Sequence, residues 1–263
     1  MIIYSEKEIR TIRSSNQIVA KILAELKKMM KPGVQTKELD EYAEMRTRAI
    51  GAIPAFKGYR GYPSSLCTSI NEEIVHGIPS SRKLQEGDIV SLDFGVLYDG
   101  YYGDAAVTYP VGKISERART LVETAEKAFY KGLEQMKPEK RISDISFAIQ
   151  NHVEAEGFSV IRTFVGHGIG LSLHEEPQIP NFGSPGRGLK IKPGMVLAIE
   201  PMIAVGDWKV EILDDNWTAI TRDKSLSAHY EHTVAITQEG AEILSLFEEK
   251  DERSLCFKER QHA

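Results

Sequence analysis

The sequence predicts an α+β fold built from two αβ halves related by a pseudo-two-fold axis. The first observation behind this is a faint internal repeat. Lys31-Pro32 recurs as Lys137-Pro138, 106 residues on, and Leu39 recurs as Ile145 and Gly51 as Gly157 at the same offset. The second observation is that Gly87 to Asp93 resembles Gly194 to Glu200 at an offset of 107. In each copy a helix pair leads to a strand that ends in a carboxylate. Chance similarity between two α+β stretches is the alternative at this level. A true two-fold relation has the stronger consequence, because it brings Asp93 and Glu200 together at the axis.

Each element has its own signal. Ile9, Ile12, Ile18, Val19, Ile22, Leu23, Leu26, Met29 and Met30 recur at helical spacing over residues 6–30, and Lys31-Pro32-Gly33 closes that helix. A second helix is expected from Thr36, read as its N-cap, to Gly51. Residues 52–88 are rich in Gly, Pro and Ser, with short strand-like pieces, and strands follow at 89–95 and 101–109. Leu121, Val122, Ala125, Ala128, Phe129, Leu133 and Met136 mark a third helix, ended by Lys137-Pro138. A fourth runs from about Ser143 to Gly157, and the C-terminal third reads as strand-rich. Residues 1–247 are expected to form one domain, with pseudo-repeats at about 5–110 and 115–247. Residues 248–263 form a charged, patternless tail.

Composition excludes several function classes. The 263 residues carry a net charge of -5, which gives no basic footprint for nucleic acid. The two cysteines, Cys67 and Cys256, do not make a disulfide framework, which favours a reducing compartment. No secretory signal and no bilayer-length apolar run is seen, so a cytoplasmic protein that avoids membranes is expected. Gly166 to Gly170 lacks the Lys-Ser/Thr end of a phosphate loop, and no serine sits in a G-x-S-x-G elbow.

The residues that carry chemistry are carboxylates and histidines. Asp99-Gly100 is a strong type I′ hairpin signal. With those two at the turn, Asp93 pairs with Ala106, and Asp104 sits two residues away on the same face. Two carboxylates so placed are diagonal neighbours, able to grip a pair of metal ions roughly 3.5–4 Å apart. Taken alone, they are equally compatible with two acids facing solvent. In the second half Glu200 ends the apolar strand Met195 to Ile199, where an unpaired carboxylate is costly. Glu231 opens the strand Glu-His-Thr-Val-Ala-Ile-Thr much as Asp104 opens Asp-Ala-Ala-Val-Thr-Tyr. His167, flanked by glycines that let an imidazole approach a ligand, His174 in His-Glu-Glu-Pro and His76 in Val-His-Gly-Ile-Pro are the candidate imidazoles. Four carboxylates with one histidine form an oxygen-rich set suited to Mn, Fe, Co or Zn.

The chain resembles type I methionine aminopeptidases, in the short bacterial form without a zinc-binding N-terminal extension, over residues 5–247. The resemblance rests on Phe56-Lys-Gly-Tyr59-Arg-Gly-Tyr62-Pro, Cys67 through His76-Gly-Ile-Pro, Gly103-Asp104-Ala and Gly166-His167-Gly-Ile-Gly. It continues in His174-Glu-Glu-Pro, Ala198-Ile-Glu200-Pro-Met and Ser227-Ala-His-Tyr-Glu231-His-Thr. It implies the pita-bread fold, with a central antiparallel sheet. It also implies removal of the N-terminal methionine of peptides and nascent chains, with a small second residue preferred.

The resemblance implies two divalent ions (Co, Mn, Fe or Zn) bridged by Asp104 and Glu231. Asp93 completes one ion's shell, and His167 and Glu200 the other's. A hydroxide bridging the metals is then the nucleophile. Glu200 doubles as the group that handles its proton. His174 polarises the scissile carbonyl and His76 contacts the scissile nitrogen. Phe56, Tyr59, Tyr62, Cys67, Leu173 and Trp217 are implied to line the methionine pocket. A monomer is expected, and the ribosome is a candidate partner.

Three positions depart from the family pattern. Gly95 and Ala198 stand where threonines are common near the metal ligands, and Leu173 stands where the pocket usually has an aromatic. None removes a ligand. An X-Pro aminopeptidase or creatinase-like enzyme would carry a further N-terminal domain. A non-catalytic peptide- or ribosome-binding relative would have lost ligands that are all present here.

Overall fold

The computed structural model describes residues 1–246. The apolar stripe of the first helix, α1 (Glu6–Lys27), is buried through Ile9, Ile12, Val19, Ile22, Leu23 and Leu26. Its start is a capping box, with Ser5 Oγ accepting from Glu8 N–H and the Glu8 carboxylate accepting from Ser5 N–H. α1 stops three residues before the predicted end, and Met29 and Met30 belong to the turn that follows. In α2 (Thr36–Ala49) the N-cap is Gln35, not Thr36. Gln35 pairs with Lys83 as an isolated bridge. Thr36 Oγ1 instead donates to Ser80 O at 3.1 Å.

The short strands β1 (Ile53–Pro54), β2 (Leu66–Ile70) and β3 (Glu73–Val75) precede a long hairpin, β4 (Ile89–Tyr98) and β5 (Tyr101–Pro110). Asp99 and Gly100 both have positive φ, 49° and 80°, as a type I′ turn requires. The register follows from that turn: Asp93 pairs with Ala106 and Gly95 with Asp104. Asp104 therefore lies inside its strand and does not open it, because Tyr101 to Gly103 already pair with Val96 to Tyr98.

The second half repeats the order. α3 (Glu116–Leu133), capped by Ser115, and α4 (Ile142–Ala155) precede β6 (Ser159–Val160), β7 (Val165–Gly168), β8 (Glu175–Pro180) and β9 (Val196–Ile199). β10 (Met202–Ala204), β11 (Val210–Ile212), β12 (Ala219–Thr221) and β13 (Ser227–His229) form two small side sheets together with β6 and β3. β14 (Glu231–Ile236) and β15 (Ala241–Ile243) complete the described chain. The expected tail at 248–263 lies outside the described residues.

One antiparallel sheet joins the halves in the order β1-β4-β5-β14-β9-β7-β8, with β2 on β4 and β15 on β14. The seam is β5 against β14, where Glu231 pairs with Ala106. Side-chain alternation then separates two faces. Val90, Leu92, Phe94 and Val96 point at α1 and α2, packing on Val19, Ile22, Leu26 and Leu39. Leu197, Ile199, Val234 and Ile236 point at α3 and α4, packing on Leu121, Phe129, Ile145 and Ile149. Both helix pairs thus cover one face. Asp93, Asp104 and Glu231 belong to the other.

Candidate metal centre

That other face carries a cavity of about 270 Å³, and every predicted site residue lines it. The floor is acidic. Asp93 comes from β4, Asp104 from β5, Glu231 from the start of β14, and Glu200 from the residue after β9. His167 comes from β7, where it pairs with Ala198. Ligand atoms of Asp104, His167 and Glu231 all lie within 4.8 Å of one another, and His167 Nε2 is 3.5 Å from Glu200 Oε1.

The imidazole of His167 is oriented from behind. Its Nδ1 is 2.9 Å from Gly168 O, so Nδ1 carries the proton and donates it there. Nε2 is then left with a lone pair facing the carboxylates, the arrangement an imidazole ligand needs. The flanking glycines also make room for neighbouring strands. A Cβ on Gly166 would lie 2.5 Å from Ala198 O, and one on Gly168 would lie 2.5 Å from Glu176 O. They allow β8 and β9 to close on β7, and that fixes where His167 stands. The carboxylate-bearing backbone is tied in the same way. Thr233 Oγ1 donates to Asp104 O at 2.8 Å, and Asn181 Nδ2 donates to Glu200 O at 2.9 Å.

Electrostatics shows what this cluster fits. Burial pushes Asp93 up to about 7. Burial, and then repulsion from neighbouring carboxylates, holds Asp104, Glu200 and Glu231 well above the usual carboxylate range. Burial drives His167 down to about 4, so its ring is neutral. Four close acids cannot all ionise without a compensating charge. Asp93 Oδ1, Asp104 Oδ1 and Glu231 Oε1 are moreover buried with no hydrogen-bond partner. Unpaired buried carboxylate oxygens are costly, and divalent cations would satisfy them while returning the acids to their ionised form. The donor set therefore fits hard-to-borderline divalent ions.

The walls are aromatic and apolar. His174 stacks on Tyr59 with ring centroids 5.2 Å apart, and its Nδ1 lies 2.9 Å from the Tyr59 hydroxyl. Burial, then the nearby His167, Arg60 and His76, push His174 down to about 3. His76, held at φ 62°, meets Trp217 edge-on at 6.1 Å, and burial lowers its pKa. Trp217 in turn meets Tyr62 edge-on at 5.1 Å. Tyr62 Oη donates to Gly77 O at 3.0 Å, which turns the ring's apolar body toward the cavity. Cys67 pairs with Asp93 across β2 and β4, and burial raises its thiol pKa. Phe56 and Leu173 close the pocket.

Sequence reasoning missed one neighbour of the cluster. His229 is 1% exposed, with Nε2 3.7 Å from Glu200 Oε2 and 3.9 Å from Glu231 Oε2. Its spacing of two from Glu231 was the available signal. Arg60, Thr163 and Phe164, which also line the cavity, carried no such signal.

Residues 10–238 match the model of metallopeptidase family M24. Among curated proteins, methionine aminopeptidase 1 of Bacillus subtilis is 54% identical over 91% of this chain and 96% of its own length. The methionine aminopeptidase of Clostridium perfringens is 51% identical over 94% of this chain and 99% of its own. The crystal structure of methionine aminopeptidase from Thermotoga maritima superposes with a TM-score of 0.92 at 46% identity, covering 94% of this chain and all of that one.

Proposed function

The chain belongs to metallopeptidase family M24, and on that premise we propose that it is a metalloaminopeptidase that removes methionine from the N-terminus of polypeptides. Its fold is the pita-bread fold of its structural relatives. One observation carries the reading: carboxylates from both halves and one lone-pair-bearing imidazole converge, with buried unpartnered oxygens, on the floor of an apolar pocket.

Family membership implies divalent metal. In the proposed site, Asp93, Asp104, His167, Glu200 and Glu231 would together hold two divalent ions. Bound ions would supply a lowered water pKa and polarisation of the scissile carbonyl. The chain's own groups do the rest. Glu200 accepts the proton of the attacking water and returns it to the departing amine. Neutral His174 donates from Nε2 to the oxygen on which charge develops, with Nδ1 held by the Tyr59 hydroxyl. His76 contacts the scissile nitrogen.

Phe56, Tyr59, Tyr62, Cys67, Leu173 and Trp217 take the methionine side chain, excluding water from it. The free α-amine sits among the carboxylates, which restricts cleavage to the chain end. The small cavity favours a small second residue. Since the ligands come from both halves, residues 1–247 act as one catalytic domain. The cytoplasm is the proposed compartment, consistent with the absence, among the described residues, of any helix long and apolar enough to cross a membrane.

The test is release of free methionine from Met-Ala-Ser, N-acetyl-Met-Ala-Ser and Met-Lys-Ser, followed by mass spectrometry. Only the first is expected to be cut efficiently. Cleavage of the blocked peptide, or no release from the first in metal-supplemented protein, would overturn the reading.

A further inference from the structure

Among the described residues, His229 is the one histidine near the acidic floor that the reaction above does not use. It ends β13, and its backbone is clamped to the other half of the molecule. Its N–H donates to Thr108 Oγ1 at 3.0 Å, and its carbonyl accepts from the same hydroxyl at 2.8 Å. Thr108 sits on β5 with Asp104 and is itself 2.8 Å from Ser91 Oγ on β4, the strand of Asp93. On the other side His229 pairs with Met202, two residues beyond Glu200. The ring is thus delivered to a fixed place behind the wall that Glu200 and Glu231 present to the cavity.

Neither ring nitrogen has a partner, although both are buried. Leaving buried polar atoms unpaired is costly, so this ring calls for a partner that appears when the site is loaded. The atoms nearest its Nε2 are Glu200 Oε2 at 3.7 Å and Glu231 Oε2 at 3.9 Å. A movement of roughly 0.7–1 Å by either carboxylate brings it into hydrogen-bond range. Carboxylates that hold a metal are themselves commonly held by hydrogen-bond donors behind them. Because the ring is 1% exposed, it does not reach substrate.

We propose that His229 is a positioning residue whose Nε2–H donates to Glu200 Oε2 and Glu231 Oε2, fixing both glutamates in the orientation that receives divalent cations. The proposal rests on the reading of Glu200 and Glu231 as metal ligands. It predicts that His229 acts through affinity for the ion and requires a donor at that point in space, whereas a merely space-filling histidine would require only bulk.

The experiment is calorimetric titration of metal-free full-length protein with Zn2+, for the unmodified chain, His229→Leu, His229→Gln and Asp104→Asn. His229→Leu is expected to weaken zinc binding roughly 10–100-fold, whereas His229→Gln, which keeps an N–H donor, stays within about threefold. Wild-type affinity in His229→Leu overturns the proposal, and so does a loss in His229→Gln equal to that in His229→Leu. Failure of the unmodified chain to bind zinc, or full binding by Asp104→Asn, would count against the ligand reading instead. Should His229→Leu not fold, ring 15N NMR of the zinc-loaded unmodified chain decides. The Nε2–H tautomer of His229 is expected, and the Nδ1–H tautomer overturns the proposal.

Discussion

Adding one methyl group at Gly95 should push Phe56 into the cavity above the acidic floor. Gly95 pairs with Asp104 and lies on the site face of β4. A Cβ there would be 2.8 Å from Phe56 Cε1, 3.2 Å from Gly103 O and 3.3 Å from Ala55 Cβ. Ordinary carbon contacts are about 3.5–4.0 Å, so something must move by roughly 0.7–1.2 Å. Gly103 is held in the β4–β5 ladder, and Ala55 N–H donates to Gly95 O at 2.9 Å, so neither gives way easily. The free end of the Phe56 ring is the group that yields, toward the cavity it lines. Such overpacking costs about 1–3 kcal/mol. For a chain of this size that lowers Tm by roughly 2–12 °C. Scanning calorimetry of Gly95→Ala, Phe56→Leu and the double variant, with KM for Met-Ala-Ser, tests this. The double variant should recover part of the loss, with a coupling of about 0.5–3 kcal/mol. An unchanged Tm and KM in Gly95→Ala, or strict additivity in the double variant, would refute the reasoning.

Two other outcomes follow from the site. His174→Ala should lower kcat by about 10²–10⁴-fold while metal content, measured by elemental analysis, stays at the unmodified level. Loss of the metal would show that His174 is a ligand and not the carbonyl donor. In metal-free protein the acidic cluster should make stability fall as pH rises. The folded pKa values of these acids lie above those of the unfolded chain, about 4, so their contribution is fully present below pH 4. It is lost as pH climbs through the folded values, with Asp93 spanning about 4 to about 7. The rise in Tm on adding a divalent ion should therefore grow between pH 5 and 8, and a rise that shrinks across that window would contradict this.

How far the molecule could be read from its sequence depended on how local each signal was. Asp99-Gly100 is turn chemistry confined to two residues, and it fixed the entire β4–β5 register, including Asp93 opposite Ala106. The stripe of α1 was equally legible. Its end was not, because Met30 keeps the apolar period yet is buried in a turn. Thr36 has the chemistry of an N-cap, but its hydroxyl is taken by Ser80, a partner 44 residues away. The repeat breaks off beyond Glu200 because β10 to β13 are inserted between that carboxylate and its returning strand. The glycines beside His167 are visible in the sequence, but the room they make for β8 and β9 is not, because it depends on which strands become neighbours. His229 was hidden for the same reason: its nearness to Glu200 depends on β13 pairing with β10.

If hydrolysis depends on cations held between the two halves of the sheet, methionine release from Met-Ala-Ser as chelated protein is titrated with a divalent ion, alongside Asp104→Asn, tests it most directly. Activity should be absent in the chelated protein, return with added ion, and stay absent in the variant. Undiminished release by protein shown to be free of metal would contradict the account.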